Sequence, residues 1–215
     1  FVSKTKTSDL FFYERSAWKR CRFVAGLDEA GRGAWAGPVV AAAVIFEQGV
    51  VIDGVNDSKI LTPKKRAKLF DEICARATSF GVGIVESSII DQINILQASK
   101  EAMVQAIEKL SVRPEHLLID GNMTLNVPIS QQAIINGDAL SFTIAAASIL
   151  AKVTRDCLMV KLAQKYPAYG FERHKGYGTT VHQVALARSG ASLQHRFSYA
   201  PVAKVAGCER KRSEA

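Results

Sequence analysis

Two acids, Asp28 and Glu29, stand side by side at the end of an apolar run, and Gly31-Arg32-Gly33 follows at once in "AGLDEAGRGAWAGP". Asp120 closes a second apolar run, "HLLID", and Asp138 follows Gly137 where a strand-like stretch gives way to a helical one. Side chains that neighbour along a strand point to opposite faces. At a strand end, however, either acid of a pair can turn toward a shared site. If the two apolar runs are adjacent strands, their acids emerge at one edge of the sheet, and Asp138 can face the same edge. Four carboxylates held together do not stay ionised without a cation, because like charges raise one another's pKa. Oxygen-only ligation points to Mg²⁺ or Mn²⁺ and away from zinc. Two such ions bridged by carboxylates activate water and stabilise the leaving oxygen of a phosphodiester. Taken singly, Asp120 and Asp138 each adjoin a glycine and read as turn residues. Their combination with the Asp-Glu pair in a basic chain favours the metal site.

The glycines after the acids do not fit a dinucleotide fold. Gly31, Gly33 and Gly37 follow a strand, but the spacing is G-x-G-x-x-x-G and the next segment, "PVVAAAVIF", reads as strand. A phosphate-binding turn must open a helix, and two carboxylates beside it repel a phosphate. Other polar groups have two readings each. Tyr177, between Gly176 and Gly178, can stack on a sugar or base or fill a gap in a loop. His174 and Lys175 can meet phosphates or be solvated. Asn56, Ser58 and Lys59 in "VNDSK" offer donors and a cation to a phosphate, or form an ordinary polar loop. Ser148, Lys152, Arg155 and Asp156 share one helix face, either beneath the acids or as a solvated stripe. His116, His182 and His195 show no ligand spacing and read as surface or satisfied core residues. Arg188, Arg196, Lys204, Arg210, Lys211 and Arg212 make the C-terminal part basic, suited to gripping DNA or to solubility.

These groups must be carried by an alternation of strands and helices. Strands are predicted at "RFVAGLD", "PVVAAAVIF", "FGVGIVES", "HLLIDG" and "ISQQAIIN". Helices are predicted over 9–20, from Thr62-Pro63 as cap and first position, over 91–110, over 140–166, and over 180–190 with a Gly190 stop. The stretch 169–179 reads as a Gly- and aromatic-rich loop, and the tail "ERKRSEA" as disordered. The order of elements implies an α/β fold with a mixed sheet. The domain reading is an N-terminal helical extension over 1–20, a catalytic domain over 21–165, and a basic helical segment with tail over 166–215.

Composition bounds the rest. The chain has 215 residues, of which 48% are hydrophobic, enough for one substantial core. Its formal net charge of +8 suits a polyanionic partner such as nucleic acid. Cys21, Cys74, Cys157 and Cys208 are scattered without a C-x-x-C, which suggests neither a zinc site nor a small disulfide framework and suits a cytoplasmic protein with reduced thiols. No membrane span and no signal peptide is read, and the expected state is a monomer.

Taken in order, "GLDEAGRG", "DSK", "LLIDGN", "GDALSFTIAAASILAKVTRD" and "HKGYGT" resemble bacterial ribonuclease HII, from about Arg22 to about Tyr199. The resemblance implies an RNase H-like fold: a five-stranded mixed sheet flanked by helices, with a C-terminal helical segment. It implies a site of Asp28, Glu29, Asp120 and Asp138 that uses Mn²⁺ or Mg²⁺. It places the substrate-facing groups at Gly31, Arg32, Gly33 and Tyr177. The implied activity is hydrolysis of the RNA strand of RNA/DNA hybrids and nicking 5′ of single ribonucleotides embedded in duplex DNA, as in ribonucleotide excision repair and DNA replication. A 2′-hydroxyl marks the ribonucleotide, and a glycine backbone without Cβ can approach it closely. Arg32 adds a fork suited to phosphate oxygens. The chain departs from the family in carrying Ala34-Trp35 where members commonly have Pro-Leu, which bears on fine substrate geometry. Two other readings remain: an RNase H-like module that grips hybrids without cutting, and an enzyme confined to longer RNA tracts.

Overall fold

A computed structural model describes residues 9–56, 58–59 and 61–213. Five strands form one mixed sheet in the order β3-β2-β1-β4-β5. They are β1 (Val24–Ala30), β2 (Val39–Ile45), β3 (Ser79–Val85), β4 (His116–Asp120) and β5 (Ser130–Ile134). The first three pair antiparallel, while β1 with β4 and β4 with β5 are parallel. β2 is buried along its whole length, which is why "VVAAAVI" shows no polar alternation.

Helices cover both faces. On one, Ala25, Leu27, Ala41 and Ala43 pack against Ile90, Ala98, Ala102 and Met103 of α3 (Ser87–Glu108). On the other, Ala42 and Val44 meet Leu69 and Ile73 of α2 (Pro63–Arg76) and the alanines of α4 (Phe142–Lys165). Small side chains let α4 lie close: a Cβ on Gly26 would come within 2.2 Å of the Thr143 backbone. Before the sheet lies α1 (Phe12–Trp18). After it come the short α5 (Phe171–His174), α6 (Thr180–Ser189) and α7 (Ala200–Ser213).

The start of α2 is as predicted, with the Thr62 hydroxyl accepting from Lys65 N–H and Pro63 in the first turn. Four elements differ from expectation. β1 runs beyond Asp28 to Ala30, so Asp28 and Glu29 are both paired with β2 and do not lie past a strand end. α3 begins at Ser87, four residues early, and is broken at Asn94, where φ is 66°. The Asn94 side chain accepts from the Leu96 and Gln97 N–H groups and so restarts the helix as an internal cap. The loop over 169–179 contains α5. The tail expected to be disordered carries α7 as far as Ser213. Among the described residues, no helix is long and apolar enough to cross a membrane.

Candidate active site

β1 and β4 are parallel neighbours with Leu27 opposite Ile119, so Asp28 and Asp120 follow at the same level of the sheet. Their edge opens into a cleft of about 620 Å³. Asp28, Glu29 and Asp120 line it together with Gly31, Arg32, Gly33, Ser58, Lys59, Ser148 and Tyr177. Ala30, Arg66 and Lys152 complete the wall.

Asp28 is buried, and its Oδ1 accepts from the Glu29 N–H at 2.7 Å. Burial raises its pKa well above the usual carboxylate range, and the charges of Glu29 and Asp120 add to the rise. The Glu29 N–H and the Ser148 hydroxyl oppose it. Ser148, on α4, is 2.7 Å from the Ser58 hydroxyl, so two hydroxyls lie under the acids. Glu29 is also raised, first by burial; Arg32 pulls it back down from 3.2 Å, and Asp120 pushes it up. Its second oxygen, Oε2, is buried without a hydrogen bond. Asp120 accepts from the Gly137 N–H at 2.7 Å and is raised by burial and then by the charge of Asp138. Asp138 sits in the 3-10 turn Gly137–Ala139, buried, with Lys59 Nζ donating to it at 2.7 Å; it does not line the cleft itself.

The donor chemistry fits a hard divalent cation: oxygen ligands only, mutual repulsion, and an orphaned carboxylate oxygen at Glu29. Among the described residues, the acids do not close into a preformed ligand cage. Asp138 pairs with Lys59 and Glu29 with Arg32.

Behind the cleft, two buried arginines hold the loops that face it. Arg155 of α4 donates to the carbonyls of Pro38, Ala36 and Lys175 and lies 5.3 Å from the Tyr177 ring. Burial lowers its pKa to about 10, so it stays charged at neutral pH. Gly31, at φ 97°, packs on it: a Cβ there would come 2.0 Å from Arg155 Nε. Arg196 donates to the carbonyls of Arg32 and Gly37, and the Tyr199 hydroxyl donates to Arg32 as well. Arg196 is fully buried, which removes it from the basic surface expected of the C-terminal part. The side chains of Arg210, Lys211 and Arg212 lie outside the described ones.

Other candidates fall outside the cleft. Asn56 lies exposed on the loop before Ser58. Lys175 turns its Nζ to the Glu172 carbonyl. His174 is buried, donating from Nε2 to the Tyr169 carbonyl and accepting from the Gly176 N–H at Nδ1. It stacks on His182, whose Nδ1 donates to the Tyr177 carbonyl. His195 Nδ1 accepts from the Ser192 N–H, leaving its Nε2–H to donate to His182 Nε2 at 3.0 Å. This fixes both rings as neutral tautomers, and burial lowers both pKa values to about 4. Sequence reasoning missed Arg66, whose guanidinium donates to the carbonyls of Ser58 and Leu61 and so shapes the "DSK" loop. The signal available was a cation on the apolar side of α2.

The fold is shared with solved ribonucleases H. The ribonuclease H2 of Pyrococcus horikoshii OT3 superposes with a TM-score of 0.74 at 29% identity, over 88% of this chain and 99% of that one. The RNase HII in the PCNA:RNase HII complex of Archaeoglobus fulgidus gives 0.68 at 27% identity, over 82% and 95%. An RNase HIII solved with Mn²⁺ shares the fold alone, at 18% identity and a TM-score of 0.69 over 88% of this chain and 70% of that one. Fold and cleft thus define a hydrolase, a nuclease of RNase H-like architecture. Residues 25–202 match the Ribonuclease HII family, and the chain belongs to it. Curated ribonuclease HII proteins of Bacillus cereus and of Bacillus thuringiensis are each 52% identical over 200 residues, 93% of this chain and 77% of theirs.

Proposed function

We propose that this nuclease hydrolyses the RNA strand of RNA/DNA hybrids and nicks duplex DNA on the 5′ side of a single embedded ribonucleotide, leaving 5′-phosphate and 3′-hydroxyl ends. The observation that carries the reading is one cleft lined by Asp28, Glu29 and Asp120 together with Gly31–Gly33 and Tyr177. Asp28, Glu29, Asp120 and Asp138 would hold Mn²⁺ or Mg²⁺. The chemistry a bound divalent ion would supply there is activation of water and Lewis-acid stabilisation of charge on the phosphodiester oxygens.

The chain's own groups do the rest. Gly33 has open space where a Cβ would stand, so its backbone is free to approach a 2′-hydroxyl. Arg32, half exposed beside Glu29, offers its remaining N–H groups to a phosphate. The Tyr177 ring stands ready to stack on the next deoxyribose. Lys59 and Lys152 place positive charge along the path of the backbone, and the Ser58–Ser148 pair keeps Asp28 oriented. The test is cleavage of two duplexes of identical flanks, one with a single ribonucleotide and one with a continuous RNA strand, with Mg²⁺ and Mn²⁺ in turn. Cleavage of the continuous hybrid alone would confine the enzyme to RNA tracts. Binding of both without cleavage would make the protein a hybrid-gripping module.

A further inference from the structure

Trp35 lies on the short connection between Gly31–Gly33 and β2, and with Ala36 beside it meets the Tyr177 loop. Its N–H donates to the Gly176 carbonyl at 2.8 Å. Its indole lies against Gly178 so closely that a Cβ on Gly178 would come within 2.2 Å of the ring. The ring also sits 5.6 Å from that of His182, whose Nδ1–H holds the Tyr177 carbonyl. The indole therefore fills the corner between the residue after Tyr177 and the ring that anchors Tyr177 from behind. The Gly-Arg-Gly loop has separate tethers, because Arg196 and Tyr199 hold the Arg32 carbonyl. Removing the indole leaves these bonds and the backbone bond to Gly176 in place, and takes away the packing against Gly178 and the His182 ring on either side of Tyr177.

We propose that Trp35 is a positioning residue that fixes the Tyr177 loop against the Gly31–Gly33 loop, and thereby sets the preference for an embedded ribonucleotide over a continuous hybrid. The inference rests on the proposed reading that these loops contact the two sugars of a ribo-to-deoxyribo step. On such a step both contacts form at once, so their spacing decides how well the substrate fits. On a continuous hybrid the sugar facing Tyr177 carries a 2′-hydroxyl, its contact is already compromised, and the spacing matters less.

The experiment measures kcat/KM on both substrates for Trp35→Leu, Trp35→Phe and Gly178→Ala, alone and combined with Tyr177→Ala. Trp35→Leu should lose about tenfold on the single ribonucleotide and less than about threefold on the hybrid. Gly178→Ala, whose Cβ displaces the indole, should reproduce this pattern from the other side of the contact. Trp35→Phe, which keeps a ring in the corner, should restore most of the loss. In the Tyr177→Ala background, the Trp35→Leu effect should vanish. Equal losses on the two substrates, or a loss that persists in full without Tyr177, would overturn the proposal. If Trp35→Leu does not fold, Gly178→Ala and Trp35→Phe decide by the same criteria. Hydrogen exchange at the Tyr177 and Thr179 amides supplies a readout without substrate: it should quicken in Trp35→Leu, and unchanged protection refutes the coupling. A wild-type enzyme that leaves the embedded ribonucleotide uncut, with exchange responding as expected, would instead locate the failure in the substrate reading.

Discussion

Asp28 works against the stability of the metal-free protein, since burial and two neighbouring carboxylates disfavour its charge. Asparagine keeps an acceptor for the Glu29 N–H and the Ser148 hydroxyl while removing the charge. Asp28→Asn should therefore reduce cleavage to near background and raise the metal-free unfolding free energy, because the buried charge is gone. Turnover and thermal melts on the same sample check both halves, and near-normal turnover at saturating Mg²⁺ would remove Asp28 from the site. The two flanking glycines separate fold from substrate. Gly31 cannot accept a side chain, having a positive φ and the Arg155 guanidinium where a Cβ would stand. Gly33 has empty space there, so Gly33→Val should leave the melting temperature unchanged and cut activity on both substrates by about tenfold or more. Unchanged activity would mean that no sugar approaches this backbone.

A carboxyl group of α1 caps α4. Glu14 Oε1 accepts from the Thr143 N–H and from the hydroxyls of Ser141 and Thr143, closing the N-terminus of the helix that carries Ser148 and Arg155. Glu14→Ala leaves these buried donors unpaired and should cost about 2–3 kcal/mol. Denaturant titration measures it, and a change below about 0.5 kcal/mol would show that water replaces the carboxyl. This clamp also shows which elements were legible in the sequence. Local chemistry was: the Thr62-Pro63 start, the Gly190 stop and the strands that carry Asp28 and Asp120 all announce themselves within a few residues, although β1 runs past the expected end at Asp28 to Ala30. The acids, Gly31–Gly33, Ser58, Lys59, Ser148 and Tyr177 were singled out by residue type and neighbourhood, and the fold gathers them in one cleft, save Asp138, which lies just behind its wall. What local chemistry does not encode was missed. Asn94 breaks α3 with its own side chain, where the expected signals of a break are Gly and Pro. Glu14, Arg155 and Arg196 look like solvated charges until the chain folds and buries them against groups far away in sequence. His182 and His195 are 13 residues apart, and nothing in their spacing shows that they meet.

Across the whole molecule, charge governs both binding and stability. The net charge of +8 should make duplex binding fall steeply with salt, the slope changing by about 0.9 for each phosphate contact removed. Glutamine at Arg188, Lys204, Arg210, Lys211 and Arg212 should flatten that slope, whereas Arg196 is buried and should be left alone; an unchanged slope would place the duplex on another face. The histidine pair gives stability the opposite kind of dependence from the acids. Both rings are held neutral with pKa values near 4, against 6.5 in an unfolded chain. Below pH 6.5 the unfolded chain takes up protons that the native rings refuse, so unfolding becomes easier as pH falls and the loss is complete near pH 4. With solvent screening allowed for, each ring can contribute up to about 2 kcal/mol to this change. The raised carboxylates act with the reverse sign, because the native metal-free acids bind protons more readily than the unfolded ones. Comparing wild type with His182→Gln/His195→Gln cancels the carboxylate contribution. The stability difference between the two proteins should favour the wild type most above pH 6.5 and shrink steadily down to pH 4. A difference independent of pH would show that the rings are solvated and free to titrate in the native state, and that the hydrogen bonds joining them to Tyr177 and Ser192 do not persist in solution.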